Sequence, residues 1–315
     1  GVVKMEESLE KNQEIKNLTT FEFILKDTNS KQASVEGHKS LVANIGPLLI
    51  FNPTIESITI ITKTRKKVYR ASHEEGNIQT ITITNKSNKQ EIFNRFILCN
   101  SKPNYNEKTI FDITCLLQIN NQNEIQKITA ESLFTSYPMF LKKSFYSPFI
   151  ISSPNFEHNG KNRNRIKLES KEGSNENEEF LINKFIFTKS ADLFKQMISI
   201  AISLNCTKFY NIYSRLHCIA GTEYLKEDFY NKMEKVLFTF PVFETSQGMR
   251  KMEEVNMPFI EKYEDFILEK DEKTQKEKDL TSAQKKELYD EFYHLVSQLS
   301  ANTKFLVEYE SCLEW

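Results

Sequence analysis

Hydrophobic residues change their spacing midway along this chain, and that change constrains the fold more than any other feature of the sequence. In the first half, apolar residues alternate with polar ones in short β-branched segments, which is typical of half-buried strands. These segments are Thr20–Lys26, Ile58–Thr62 and Thr80–Thr84, with denser apolar runs at Ile92–Cys99 and Phe111–Ile119. The denser runs indicate central strands of an antiparallel or mixed sheet.

After about residue 175 the spacing becomes helical. Asn175 followed by Glu178 predicts an N-terminal cap, and the following apolar residues recur at helical intervals: Phe187, Ala191, Phe194, Ile198 and Ala201. Leu225, Phe229 and Met233 define a second amphipathic stretch. Short strands are predicted at Val236–Phe243 and Lys304–Tyr309, and a short helix that begins at Gly46-Pro47 is predicted in the first half.

These patterns predict an α+β fold: a mixed β-sheet in the N-terminal half, with helices on one face, followed by a mainly helical C-terminal lobe. We expect an N-terminal extension over residues 1–17, a strand-rich domain over 18–170 and the helical lobe over 171–315. Gly1 stands where a chain start normally has Met, so we expect a fragment of a longer protein.

Composition excludes several classes of protein. The chain has 42 basic and 43 acidic residues, so it has no overall field for nucleic acid or an anionic membrane, and any anion site must be local. No apolar run is long enough to span a bilayer and the start lacks a signal peptide, so we expect a cytoplasmic location. The 5 cysteines are widely spaced in apolar surroundings, which favours buried, reduced thiols.

Familiar catalytic and cofactor motifs are missing. With 8 glycines in all, the chain has neither a dinucleotide-binding nor a P-loop glycine pattern. The 5 histidines are scattered, without the spacing of a metal site, so no metal is predicted. No serine or cysteine lies in a recognisable nucleophile motif.

A basic turn is the exception. Lys161, Arg163 and Arg165 follow the apolar run Phe149–Ile151 within a segment rich in Asn and Ser. Guanidinium groups form bidentate hydrogen bonds to phosphate, so these three residues are the candidate phosphate contacts, and an ordinary basic surface loop is the alternative. A second basic segment, Lys63–Lys67 with Arg70, is predicted to be the surface of a hairpin.

The order of these segments resembles a known family. The resemblance covers roughly residues 18–216 and rests on Thr20–Lys26, Gly46–Ile60, Phe93–Cys99, Ile110–Ile119, Leu133–Pro138, Pro148–Ser153 and Asn162–Ile166. This part of the chain is similar to the region that follows the nucleotide-binding domain in sacsin-like members of the GHKL ATPase superfamily. That superfamily includes the ninety-kilodalton heat-shock chaperones. In that family a strand-rich middle or transducer domain ends in a loop that reaches back to ATP. The family's nucleotide-binding Asn, Asp and glycine-rich lid motifs do not occur in this chain.

The resemblance implies a non-catalytic transducer region, with ATP and Mg held by an N-terminal ATP-binding domain of the same parent chain. Arg163 or Arg165 is then the γ-phosphate contact, and protein partners or clients and a possible homodimer are implied. A stand-alone protein–protein interaction module with no nucleotide link is the alternative. A nuclease or nucleic-acid binder is disfavoured because no acidic metal cluster accompanies Lys63–Arg70.

Overall fold

The computed structural model describes residues 27–62, 65–74, 77–85, 89–139, 145, 147–158, 166, 178–213, 225–245, 247–256 and 305–306. Two compact units divide at residues 43 and 44. Within the first unit, the described residues 27–43 form the start of a helix, capped by the Asp27 carboxylate, which accepts a hydrogen bond from the Ser30 amide (2.7 Å). All of the described strands belong to the second unit.

Strands and helices occur in separate runs along the chain, which is typical of an α+β fold. The helices are α1 (Thr28–Phe51), α2 (Glu178–Ser203), α3 (Tyr210–Tyr213) and α4 (Asn231–Thr239), with a π-helical segment at Leu225–Tyr230 and a 3-10 segment at Met252–Glu254. The strands are β1 (Ile58–Ile61), β2 (Lys66–His73), β3 (Ile78–Thr84), β4 (Gln90–Ser101), β5 (Ile113–Ile119), β6 (Leu133–Phe134), β7 (Ile150–Ser152), β8 (Phe243–Thr245), β9 (Gly248–Arg250), β10 (Val255–Asn256) and β11 (Phe305–Leu306).

Seven strands form one mixed sheet in the order β1-β2-β3-β4-β5-β7-β6. Neighbours are antiparallel except β6 and β7, which run parallel. Strands β8 and β9 form a hairpin, and β10 pairs in parallel with β11. The predicted strands at Ile58–Thr62, Thr80–Thr84, Ile92–Cys99 and Phe111–Ile119 are confirmed, with β4 at the centre of the sheet. The predicted strand at Thr20–Lys26 lies outside the described residues.

Helices cover both faces of this sheet, so the prediction of helices on one face was wrong. Gly46 of α1 faces Phe96 of β4: a Cβ atom there would lie 2.9 Å from the Phe96 ring. Cys115 of β5 hydrogen-bonds to Ser190 of α2. Cys115 lies opposite Cys99 of β4 in the strand register, so these two side chains lie on the same face of the sheet. Because Phe96 and Cys99 are an odd number of residues apart, their side chains project to opposite faces. Each helix therefore packs on its own side of the central strands.

Helix α1 also corrects the predicted helix start. Pro47 lies inside the helix, not at its first turn. Because proline has no N–H, Pro47 cannot donate the usual helical hydrogen bond to the carbonyl of Ala43, four residues earlier. Ala43 is the last residue of the first unit. Beyond that point the helix is buried, with Ile45 and Leu49 almost fully enclosed (0% and 2% exposed).

The predicted spacing of α2 is confirmed, since Phe187, Ala191, Phe194, Ile198 and Ala201 are all buried. The Asn175 cap lies outside the described residues. The predicted stretch Leu225, Phe229 and Met233 is also confirmed as helical and fully buried.

The strand predicted at Val236–Phe243 was mostly wrong. Helix α4 continues to Thr239, because Met233 and Leu237 are four residues apart and are both buried, and β8 begins only at Phe243. Part of the predicted Lys304–Tyr309 strand is present as β11. Residues 257–304 lie outside the described part, so the mainly helical C-terminal lobe and the predicted division at residue 170 stay predictions.

Candidate anion-binding turn

The predicted phosphate contacts Lys161, Arg163 and Arg165 lie outside the described residues. Both ends of their segment are described, however. His158 and Ile166 pair as an antiparallel bridge, so the two ends of the segment that carries the three cations lie side by side. Ile166 is buried there (6% exposed).

The strand that leads to this bridge is deeply buried. Phe149, Ile150 and Ile151 are each 0% exposed, as the apolar run in the sequence predicts. The Phe149 ring stacks on Phe194 of α2, with 5.5 Å between the ring centroids. After β7, the Ser153 amide donates to the carbonyl of Phe134 (3.0 Å). The approach to the basic turn is therefore held by the core on one side and by β6 on the other.

Asn183 of α2 attaches the segment that precedes the basic turn to the helix. The Glu157 amide donates to Asn183 Oδ1 and Asn183 Nδ2 donates to the Glu157 carbonyl, each at 2.9 Å. Asn183 is fully buried, and breaking such a pair would leave buried polar groups without partners. Next to this pair, Phe156 packs on Phe187 of the same helix, with 5.7 Å between the centroids.

His158 has an unused hydrogen-bonding atom at the base of the turn. Its Nδ1 is buried and has no hydrogen-bond partner within the described part of the chain, although the side chain as a whole is only half-buried. Buried ring nitrogens normally have a partner.

A second polar cluster was not predicted from the sequence. Arg95 of β4 donates to Glu74 Oε2 (3.2 Å) and to Asn123 Oδ1 (2.8 Å), and Glu74 also accepts a hydrogen bond from the Thr80 hydroxyl. The Thr80 hydroxyl and then the Arg95 guanidinium hold the pKa of Glu74 below its ordinary value. Only 14% of the Arg95 side chain is exposed.

Lys208 extends this cluster from the segment after α2. Its Nζ lies 3.0 Å from Glu124 Oε1, and this ammonium group, with help from Asn120, lowers the pKa of Glu124. The Lys208 amide donates to the Glu244 carboxylate of β8. These charges pair with one another, and their contacts connect the sheet, the end of α2 and the β8–β9 hairpin. We call this cluster the joint.

Backbone conformation sets this joint apart from the rest of the described structure. Asn123, Asn205 and Lys208 have φ values of 59°, 54° and 61°; among the described residues, they are the only ones other than glycine with positive φ. Asn tolerates this left-handed region, whereas Lys adopts it less readily. Asn123 Nδ2 also donates to the Leu204 carbonyl (3.0 Å), which ties the β5–β6 connection to the end of α2.

Three cysteines are described, and all three are buried and free. Burial raises the pKa of the Cys99 and Cys206 thiols to about 11, and it raises the pKa of Cys115 further still. Such thiols have almost no thiolate at neutral pH, so they are unreactive. Cys218 and Cys312 lie outside the described residues.

Comparison with known proteins adds no assignment: no protein family, no curated protein and no solved structure matches this chain. None of the helices in the described part of the chain is both long and apolar enough to cross a membrane. Among the same residues, no group of His, Cys, Asp or Glu side chains is arranged to hold a metal ion.

Proposed function

We propose that this chain is the non-catalytic middle, transducer-like region of a sacsin-like, GHKL-type ATPase. In this proposal an N-terminal domain of the same parent protein holds ATP and Mg, and Lys161, Arg163 and Arg165 contact the phosphates. The observation that carries the proposal is the pair of hydrogen bonds between Glu157 and Asn183. It gives a basic turn a rigid attachment to a long helix, which a coupling element needs.

A continuous route from the turn to the C-terminal segments supports the same proposal. Helix α2 runs from Glu178 to Ser203, beyond which Leu204 bonds to Asn123 and Lys208 bonds to Glu124 and to β8. A displacement of the turn that follows phosphate binding would move α2 against the sheet. The joint at its far end would then pass the change to the β8–β9 hairpin and from there to the C-terminal helical lobe, the output of the transducer.

The proposal assigns no catalysis to the isolated chain. Tight binding of a nucleotide needs glycine-rich backbone or metal-binding carboxylates, and a few arginines alone give weak, salt-sensitive contacts with anions. We therefore expect calorimetric titration of the isolated chain with Mg-ATP to give no sub-micromolar binding. Protein clients, a homodimer and a cytoplasmic location also belong to the proposal.

Hydrogen–deuterium exchange on the longer parent protein tests the coupling. Exchange in segments 150–158 and 178–203 should differ between the ATP-bound and ADP-bound parent, and Asn183→Ala should remove the difference in 178–203 while nucleotide binding is retained. Ser199→Ala is the matched control, since this exposed hydroxyl bonds only within α2, to the Lys195 carbonyl (3.0 Å). Identical exchange in the two nucleotide states would contradict the proposal.

A stand-alone protein-interaction module is the second candidate. It is favoured by isolated large apolar side chains at the surface, among them Ile61, Ile110 and Tyr137 (72%, 63% and 65% exposed). The sequence that precedes Gly1 in the parent gene separates the two candidates. An Asn-bearing helix and an Asp-x-Gly-x-Gly segment there would favour the transducer, and a native start at this position would favour the module.

A further inference from the structure

Among the residues that the structure describes, nothing pairs with the outer edge of β1. Within the described residues β1 pairs only with β2, in the register Ile61 opposite Lys66. The Thr62 amide donates to the Arg65 carbonyl (2.8 Å), so Thr62 and Arg65 form a hydrogen-bonded pair. Such pairs alternate along an antiparallel ladder. Thr59 and Ile61 consequently direct their N–H and C=O groups away from β2, toward the open edge.

Side chains along this edge are apolar and exposed. Ile61 is 72% exposed and Thr59 is exposed as well, while Ile58 and Ile60 are half-buried. Natural edge strands usually carry a charge, a proline or a bulge that blocks pairing with another chain. Strand β1, with the sequence Ile-Thr-Ile-Ile, has none of these.

Basic residues outnumber acidic ones near this edge. Arg65, Lys66 and Arg70 are exposed and Lys67 is half-buried, whereas Glu56, two residues before β1, is one exposed carboxylate. None of the four cations makes an ion pair within the described part of the chain, and Glu74, directly after β2, already pairs with Arg95. A partner that lies along β1 would therefore gain from negative charge.

We propose that the β1 edge binds an extended acidic segment of a partner protein, which adds to the sheet as an eighth strand beside β1. The backbone of Thr59 and Ile61 supplies the hydrogen bonds, as in other cases of strand addition. Ile61 provides an apolar contact, and the basic residues of β2 and the adjoining turn select acidic side chains. None of these residues belongs to the basic turn at 161–165, so the inference does not depend on the proposed ATPase.

Protein fits this surface better than single-stranded nucleic acid does. Binding of nucleic-acid strands combines basic groups with exposed aromatic rings on which bases stack. The aromatic ring in β2 is Tyr69, which is 1% exposed and packs edge-on against Phe93, with 5.2 Å between the centroids. The exposed groups along β1 are aliphatic and backbone atoms, which suit a peptide strand.

Fluorescence anisotropy with designed peptides tests the proposal. The probe is a fluorescein-labelled peptide of alternating Glu and Val, compared with Lys–Val and Glu–Pro peptides of the same length and with an oligouridylate of similar charge. We expect the Glu–Val peptide to bind most tightly. Proline removes the amide hydrogen that strand pairing needs, so the Glu–Pro peptide should bind at least about tenfold more weakly, a difference of about 1.4 kcal/mol.

Two variants of the protein complete the test. Thr59→Pro removes an outward N–H that β2 does not use, so thermal unfolding should stay close to that of wild type while peptide affinity falls about tenfold or more. Lys66→Glu with Arg70→Glu should abolish the preference for the acidic peptide. Lys195→Glu with Lys235→Glu changes the charge equally at exposed positions of α2 and α4 and should preserve that preference.

Four results would overturn the proposal. These are no binding of the Glu–Val peptide at millimolar concentration, equal affinity for the Glu–Val and Glu–Pro peptides, a folded Thr59→Pro protein with unchanged affinity, and tighter binding of the oligouridylate.

Discussion

Asn183 and Glu157, which are 26 residues apart in sequence, are joined by two hydrogen bonds of 2.9 Å at the base of the basic turn. The amide side chain of Asn183 thus satisfies both backbone groups of Glu157. Because Asn183 is fully buried, water cannot take over either bond. This pair fixes the position of Glu157, which precedes the basic turn in the chain, and it underlies the proposed coupling between the turn and α2.

Replacement of Asn183 by alanine should lower the free energy of unfolding by about 1–3 kcal/mol, since the Glu157 amide and carbonyl lose their partners. Urea unfolding of the isolated chain measures this change. The Glu157 amide should also exchange its hydrogen faster in the variant. Ser199→Ala, on the exposed face of the same helix, should change the stability by less than about 0.5 kcal/mol. Equal effects of the two substitutions would show that the hydrogen bonds between Asn183 and Glu157 contribute nothing to stability.

Gly46 permits the close approach of α1 to the sheet. An alanine Cβ at this position would lie 2.9 Å from Phe96 Cε2 and 3.4 Å from Ile81 Cγ1, so Gly46→Ala should destabilise the fold by about 1–3 kcal/mol through overpacking.

Gly37 of the same helix is the matched control, because a Cβ there meets nothing within 4 Å. Gly37→Ala should stabilise the protein by about 0.5–1 kcal/mol through helix propensity alone. Thermal unfolding of the two variants should therefore shift in opposite directions. A stabilised Gly46→Ala protein would contradict the described packing.

Stability should fall in acid because of Glu74 and Glu124. Both carboxyls have folded-state pKa values below the ordinary 4.5. Their contribution is therefore complete above about pH 4.5 and is lost as the pH falls through the lowered values. Since the Glu74 side chain is 38% exposed, we expect an effect of about 1 kcal/mol or less.

Unfolding curves measured as a function of pH test this expectation. Glu74→Gln and Glu124→Gln should each flatten the acid limb, whereas Glu56→Gln, at an exposed position before β1, should leave its slope unchanged. An acid limb that is equally steep in all three variants would refute the assignment to these two carboxyls.

The buried thiols should resist alkylation. With the pKa of Cys99 and Cys206 raised to about 11, iodoacetamide at about pH 8 should modify them at least about a hundredfold more slowly than exposed cysteines. Mass spectrometry of the native and denatured protein measures the difference. Rapid modification of Cys99, Cys115 or Cys206 in the native protein would contradict their described burial.

Local patterns in the sequence predicted most of the central elements. Alternation indicated β1 and β3, because a strand with one solvated face repeats its apolar side chains every second residue. Denser apolar runs indicated β4 and β5. The error about the faces of the sheet arose in β4, where Phe96 and Ile97 are both buried. A continuous apolar run is typical of a strand covered on both sides. The prediction used this run only to place β4 at the centre of the sheet and not to infer helices on both faces.

Other features depend on contacts that sequence patterns do not contain. The first half of α1 has exposed apolar residues, among them Val35 and Leu41 (54% and 44% exposed), so it lacks the apolar stripe from which a helix is recognised. The joint around Arg95, Asn123 and Lys208 brings together distant segments. Asn183 did leave a signal, a polar residue in the apolar stripe of α2, three residues after Phe180 and four before Phe187.

The most direct test of the central proposal is the ATPase rate of the longer parent protein with Arg163→Ala and Arg165→Ala combined. Loss of a charge contact to the transition state costs roughly 2.7–4 kcal/mol, so turnover should fall about a hundredfold or more. We expect both arginines to be exposed to solvent, so their removal should change the free energy of unfolding by only ~0–1 kcal/mol. A folded double variant with unchanged ATP turnover would contradict the phosphate-contact role of the basic turn.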